Sequence, residues 1–231
     1  MPESGVTIIF PIYAGVTHLD FTGPHQFLSR IPGARTIVAS AMGEPIEADG
    51  LTFANLTKLA DIPACDVLCA PGGLGCADAM NNEAFMREIR RLAAGARYVT
   101  SVCTGSLILG AAGLLKGKRA AGHWAWRHLL PKFGAIPDER RVVRDGNVLT
   151  GGGVTAGIDF ALILAAEIAG PKVAQTIQLG LEYAPAPPFD AGRPESAPIE
   201  VLDAFKARMA KLLPERQAAA ERAAAALMLR G

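Results

Sequence analysis

Arg97-Tyr98-Val99-Thr100-Ser101-Val102-Cys103-Thr104-Gly105-Ser106-Leu107-Ile108-Leu109-Gly110-Ala111-Ala112-Gly113-Leu114-Leu115-Lys116-Gly117-Lys118 is the stretch that decides the fold. Tyr98 to Val102 reads as a short buried strand. Gly105 to Leu115 is rich in Ala, Leu and Gly and is predicted to be a helix. Cys103 falls at the joint. A strand that turns directly into a helix holds the residue at the turn above the carboxyl edge of a sheet. It also places that residue at a helix N-terminus, where unpaired N–H groups favour negative charge. A thiol there is expected to lose its proton more readily than a free one and to act as a nucleophile. Gly105 removes a Cβ where the turn is tightest. The logic is that of a nucleophile elbow with Cys in place of Ser.

Working outward, apolar runs and helical segments alternate along the chain. Gly5 to Phe10, Thr36 to Ser40 and Asp66 to Ala70 are predicted strands. Thr22-Gly23-Pro24 opens a predicted helix to about Arg30, which leaves Tyr13 to Thr22, with His18 and Asp20, as a loop. Asp49-Gly50 and Asp145-Gly146 mark hairpins. Asn82 to Ala94 is amphipathic, with Phe85, Ile89 and Leu92 on one side. His123 to Phe133, Thr155 to Ile168 and Pro171 to Leu181 are further predicted helices. Strands that are continuously apolar and alternate with helices imply a parallel sheet covered on both faces. Such sheets put their ligand sites at the carboxyl ends of the strands. Asp20, Gly72-Gly73 and Cys103 each follow a predicted strand, so three separate stretches converge on one edge.

Tyr183 to Pro198 holds five prolines and is expected to be an extended arm. Ile199 to Leu229 is expected to be one helix or two. Its stripe of Val201, Leu202, Phe205, Met209, Leu212 and Leu213 packs on the domain or on a second subunit. The division is therefore an α/β domain over residues 1–183 and an arm with C-terminal helix over 184–231.

The 231 residues are 50% hydrophobic and 19% charged, with a net charge of +1. That balance suggests neither nucleic acid nor an anionic membrane as a partner. The run from Val6 to Val16 has no basic leader and contains Pro11, so it does not read as a signal peptide or a membrane span. Cys65, Cys69, Cys76 and Cys103 form no CxxC and have no histidine nearby, against a zinc site. Reduced thiols and a cytoplasmic location are expected. Cys76, in the glycine loop, is a thiol that solvent could reach.

Cys103 is thus the candidate nucleophile, against the commoner fate of a buried structural thiol. Asp20 is either a helix cap or an acid/base partner for that thiol. Gly72 and Gly73 either make a plain turn or present N–H groups to a developing negative charge. Gly151-Gly152-Gly153 is a tight turn into a helix. His18, His25, His123 and His128 stay ambiguous, and no Cys–His dyad is visible because Thr104 follows the cysteine. Trp124 and Trp126 fit core or interface roles.

Five stretches carry a resemblance. Leu19-Asp20-Phe21-Thr22-Gly23-Pro24, Ala70-Pro71-Gly72-Gly73, Thr100-Ser101-Val102-Cys103-Thr104-Gly105, His123-Trp124 and Thr150-Gly151-Gly152-Gly153-Val154-Thr155-Ala156-Gly157-Ile158-Asp159 resemble, in the same order, stretches of the DJ-1/PfpI superfamily. The likeness runs from about Val6 to Pro188. Asp rather than Glu at 20, and Thr rather than His at 104, resemble its isonitrile-hydrating branch and depart from its protease, deglycase and DJ-1 branches. The resemblance implies a flavodoxin-like, doubly wound, mostly parallel sheet sandwiched by helices, a homodimer, and no cofactor or metal. It implies the reaction R–N≡C + H2O → R–NH–CHO on a small isonitrile. Cys103 would attack the terminal carbon, Asp20 would move the protons, Thr104 would contact the thiolate through its hydroxyl or amide, and the amide of Gly73 would line the pocket. The competing readings are a glyoxal-consuming enzyme, a redox sensor oxidised at Cys103, and the ligand-binding domain of a transcription regulator. The last would need a DNA-binding domain for which 231 residues leave little room.

Overall fold

Uncharged runs of four and five residues become strands with every residue buried: Val67–Ala70 and Tyr98–Val102. A computed structural model describes residues 5–229. Residues 1–4 and 230–231, at the outer ends of the two expected segments, lie outside the described residues. In chain order the elements are β1 (Thr7–Pro11), α1 (His18–Leu28), β2 (Arg35–Ser40), β3 (Ile46–Ala48), β4 (Leu51–Phe53), β5 (Thr57–Lys58), β6 (Val67–Ala70), α2 (Cys76–Ala79), α3 (Glu83–Gly95), β7 (Tyr98–Val102) and α4 (Gly105–Ala111). There follow β8 (Arg119–Ala120), β9 (Ile136–Pro137), β10 (Val142–Asp145), β11 (Val148–Gly151), α5 (Ala156–Ala169), α6 (Pro171–Gly180), α7 (Ile199–Ala210) and α8 (Leu213–Met228).

Seven strands form one sheet in the order β10-β11-β7-β6-β1-β2-β5. Every pairing is parallel except β10 with β11. The chain leaves β1 towards β2 and later returns to β6 on the other side of β1. The gap between the carboxyl ends of β1 and β6 is therefore a topological switch point, where such sheets bind ligands. The two loops there are tied together. Thr17 N–H donates to the Gly72 carbonyl at 2.9 Å, Gly75 N–H to the Gly15 carbonyl at 3.0 Å, and Val16 bridges Gly73.

Both expected hairpins form, β3 with β4 and β10 with β11. Asn82 caps α3, its Oδ1 accepting from Phe85 N–H at 3.1 Å. Three expectations need correction. First, α1 begins at His18 rather than Thr22, so Asp20 sits in its first turn and Pro24 lies inside the helix. Asp20, Phe21, Pro24, Phe27 and Leu28 make a buried stripe at helical spacing, which outweighs the proline as a start signal. Second, α4 stops at Ala111, short of Leu115, because Gly113 takes the left-handed conformation (φ +82°). Third, His123–Phe133 is not an α-helix; only Arg127–Phe133 winds, as a 3-10 segment containing Pro131 and ending at left-handed Gly134.

The arm from Tyr183 to Pro198 has no helix or strand. Part of the expected C-terminal stripe meets the domain: Met209, Leu212 and Leu213 pack half-buried against the core, and Phe205 packs on His123 and Trp124. In α7 no residue is fully buried. In α8 the buried face is Arg216, Ala219, Ala220, Ala223 and Ala224, and the helix packs on α2, α4 and the 3-10 segment of the same chain. Alanine makes this face because small side chains let helices approach closely. No helix among the described residues is long and apolar enough to cross a membrane.

Candidate active site

Cys103 is the residue at the joint between β7 and α4, and its φ of +59° is the left-handed conformation that a non-glycine residue adopts only under constraint. Its own N–H is held by the carbonyls of Gly152 at 2.7 Å and Gly151 at 3.2 Å, past the end of β11. The backbone N–H groups of Thr104 and Val154 point at the sulfur. The elbow geometry is thus as expected.

The expected easy ionisation is not. Cys103 is 5% exposed, and burial, followed by the charge of Asp20, holds its thiol well above its ordinary range. The two amides act in the other direction and are outweighed. Burial penalises a thiolate more than one turn of helix rewards it. Burial thus favours the neutral thiol over the thiolate.

Asp20 is fully buried, and burial lifts its carboxyl from 3.8 to about 7. The Gly72 N–H, donating to Oδ2 at 2.9 Å, and the Cys103 thiol pull the other way. Oδ1 has no nitrogen or oxygen partner. A carboxyl with one free oxygen beside a thiol, titrating near neutrality, is suited to passing a proton to and fro. Asp20 is not a helix cap: Thr17 holds the N-cap position of α1, and the carboxyl reaches across 52 residues to the diglycine.

The diglycine does not work as an open anion hole. The Gly72 amide is engaged by Asp20, and the Gly73 amide donates to Thr104 Oγ1 at 2.9 Å. The Thr104 hydroxyl turns to Gly73, whose carbonyl it reaches at 3.3 Å, so the contact of Thr104 with sulfur runs through its amide. Both glycines are required by proximity. A Cβ at Gly72 would lie 2.4 Å from the Thr104 nitrogen, and one at Gly73 would lie 2.3 Å from the Gly15 carbonyl oxygen. The structure thus brings Cys103, Asp20, Thr104, Gly72 and Gly73 into one cluster and reassigns what the glycines do.

His123 does not join it as a base. His123 is held down to about 4 by burial and then by the charge of Arg216, and its ring packs against Trp124 and Phe205. Among the groups that set the titration of Cys103 there is no histidine. The remaining cysteines are free and buried. Cys76, expected to be reachable, is completely buried with its thiol donating to the Thr104 carbonyl at 3.3 Å. Among the described residues no group of His, Cys, Asp and Glu is arranged to hold a metal.

Three residues were not singled out from sequence. Val154 supplies an amide to the sulfur from the turn that follows the triple glycine. Tyr13, buried, donates from its hydroxyl to the Pro71 carbonyl at 2.9 Å, and its phenol is raised by burial and by Cys76, Asp20 and Cys103. Arg216 reaches in from α8. Its signal was its place on the alanine stripe at 219, 220, 223 and 224, an i, i+3, i+4 spacing that buries a charge. A cavity of about 460 Å3 adjoins Val154, walled by His123, Trp124 and Arg127 and closed by Gly192 to Ser196 of the chain's own arm.

A doubly wound, mostly parallel sheet with a cysteine at a strand-to-helix elbow and a buried carboxyl beside it defines a class of small α/β proteins. The DJ-1/PfpI family model matches residues 6–167, and the chain belongs to that family. It is 52% identical over 222 residues to isonitrile hydratase of Pseudomonas putida, covering 96% of this chain and 97% of that protein. Among solved structures, a THiJ/PfpI family protein from Pseudomonas syringae superposes with a TM-score of 0.91 at 41% identity, covering 94% of this chain and 90% of that one. Protein dj-1beta of Drosophila melanogaster is a more distant relative, 26% identical over 78% of this chain and 97% of its own length.

Proposed function

We propose that this protein hydrates isonitriles to N-substituted formamides, with Cys103 as nucleophile and Asp20 as the group that moves protons. The observation that carries the reading is the pairing of the Cys103 thiol with a buried carboxyl instead of a histidine, in a chain 52% identical to an isonitrile hydratase over nearly its full length.

The steps balance. Asp20, as carboxylate, takes the thiol proton while sulfur bonds to the terminal carbon of R–N≡C, and returns that proton to the same carbon. The product is a thioimidate, R–N=CH–S–Cys103. Asp20 then takes a proton from water as the oxygen bonds to the thioimidate carbon, and passes that proton to the nitrogen, which restores the carboxylate. The tetrahedral adduct R–NH–CH(OH)–S–Cys103 collapses, its hydroxyl proton passing by way of Asp20 to the departing sulfur, and R–NH–CHO is released. Covalent attack and proton transfer divide one hard addition into easier ones. The amides of Thr104 and Val154 steady the sulfur while it carries charge. Thr104 and Gly73 hold one another, and Gly72 holds Asp20. The chain's own side chains supply both the nucleophile and the base, so the scheme calls for no cofactor.

Four free thiols support a reducing, cytoplasmic setting. Exposed apolar side chains at Ile163, Leu179 and Ile199 support a homodimer. The domain over 1–183 with an arm and helices over 184–231 is supported by the packing of α8 back onto α2 and α4.

The test is turnover of cyclohexyl isocyanide, followed by formamide absorbance, for the parent and for Cys103→Ala. The parent is expected to be active and the variant to fall to background. Activity that survives the substitution removes Cys103 from its role. Inactivity of the parent on several isonitriles, with turnover of methylglyoxal, moves the function to the glyoxal-consuming reading.

A further inference from the structure

Arg216 is 4% exposed and stands on the buried face of α8, yet its partners are carbonyls and a ring rather than a carboxylate. Nη2 donates to the Leu74 carbonyl at 3.0 Å, both terminal nitrogens lie 3.4 Å from the Gly73 carbonyl, and the guanidinium sits 4.6 Å above the ring of Trp126. Burying a cation this way is costly, and an apolar side chain of similar length would pack there at less expense. The charge is therefore retained for what it holds. It holds Gly73, the residue whose amide is on Thr104 and whose neighbour's amide is on Asp20.

We propose that Arg216 is a positioning residue of the Cys103 site: its guanidinium fork fixes the Gly73–Leu74 carbonyls, and through that peptide it sets the Gly72 amide on Asp20 and the Gly73 amide on Thr104. The inference rests on the roles given above to Cys103 and Asp20. The Thr17 amide on the Gly72 carbonyl, the Val16–Gly73 bridge and the Tyr13 hydroxyl on the Pro71 carbonyl tie the loop from the β1 side, and Arg216 holds it from the α8 side. Gly72 and Gly73 have no side chains to pack, and Leu74 is 64% exposed. Arg216 works across 143 residues of sequence, so the C-terminal helix is a working part of the site and not only a cover for the core. The charged and titratable groups around the fork are Tyr13, Cys76 and His123, with Asp78 and Glu215 on the rim of the adjoining cavity. Those around Asp20 are Cys103, Cys69, Cys76 and Tyr13.

The full-length protein is compared with Arg216→Met, which keeps the stem and removes the fork, and with Arg216→Lys, which keeps the charge as a single point. Two quantities are read: kcat and KM on cyclohexyl isocyanide, and the titration of the Asp20 carboxyl by 13C NMR, assigned with Asp20→Asn. A displaced loop is expected to lower kcat on the order of tenfold or more in the Met variant, with KM changed much less. It is also expected to move the Asp20 titration upward from about 7, because the Gly72 amide that pulls it down is loosened. The Lys variant, able to reach one carbonyl but not both, is expected between the two. A folded Met variant with parental kcat and a parental Asp20 titration overturns the proposal. If the Met variant does not fold, the Lys variant decides on the same two readouts, and parental values there overturn it equally. Absence of isonitrile turnover in the parent would count against the proposed reaction, whereas the NMR titration would still judge Arg216.

Discussion

Replacing Asp20 by Asn should abolish activity and at the same time stabilise the protein at alkaline pH. The carboxyl is fully buried, receives one amide hydrogen bond from Gly72, and has an orphan Oδ1. Ionising it in that place is unfavourable, and this is why its titration lies at about 7 instead of 3.8. At about 1.4 kcal/mol per tenfold change in proton affinity, the displacement corresponds to roughly 4 kcal/mol. The sign follows from proton uptake. The folded-state value is the higher one, so the folded chain binds a proton that the unfolded chain has released. The favourable contribution is complete below about 4 and is lost as pH rises through about 7. Asn keeps an oxygen for the Gly72 amide and carries no charge at any pH. Urea unfolding of parent and variant, at fixed protein concentration, is to be compared at pH 5 and pH 8.5. The variant should gain on the parent by a few kcal/mol between the two. A difference that does not change with pH, or that favours the parent at pH 8.5, would refute the account of a carboxylate strained by burial. The result would place Asp20 among residues whose stability cost is retained for function.

Three further outcomes follow from the same geometry. Because Asp20 must be a carboxylate to accept the thiol proton, kcat/KM on cyclohexyl isocyanide should decline as pH falls through about 7; a flat profile down to pH 5 would remove Asp20 as the base. Gly72→Ala, whose Cβ would meet the Thr104 nitrogen at 2.4 Å and Asp20 Oδ2 at 2.8 Å, should cost about 1–3 kcal/mol in thermal unfolding and most of the activity; a fully active, equally stable variant would contradict the close packing of the diglycine. Asn82→Ala, which loses the cap on the Phe85 amide, should cost about 1 kcal/mol and lower Tm by about 2–4 °C without touching turnover, and a loss of activity there would couple α3 to the site in a way its position does not explain.

What the chain's order of residues determined by itself is local or periodic. Buried strands announced themselves as short uncharged runs at Val67–Ala70 and Tyr98–Val102, and the elbow by the passage from Val102 through Cys103 to Gly105. The convergence of Asp20, the diglycine and Cys103 followed from the rule that loops after parallel strands share an edge. The start of α1 was misplaced because a proline near a helix start is a local signal, while the stripe that extends the helix back to His18 has value only against the core it packs on.

Tertiary structure alone decided which way the protons lie. A helix N-terminus favours a thiolate, and that much is local. The opposing penalty is desolvation, which exists only once β7, α1 and the diglycine loop close around the sulfur, and it is the larger effect. The same holds for the glycine amides. They are free donors in any isolated turn and are spent here on Asp20 and Thr104, 52 and 31 residues away in sequence. Arg216 is the extreme case: a charge on an alanine-rich helix becomes a clamp on a glycine loop 143 residues earlier only when both are packed into one body.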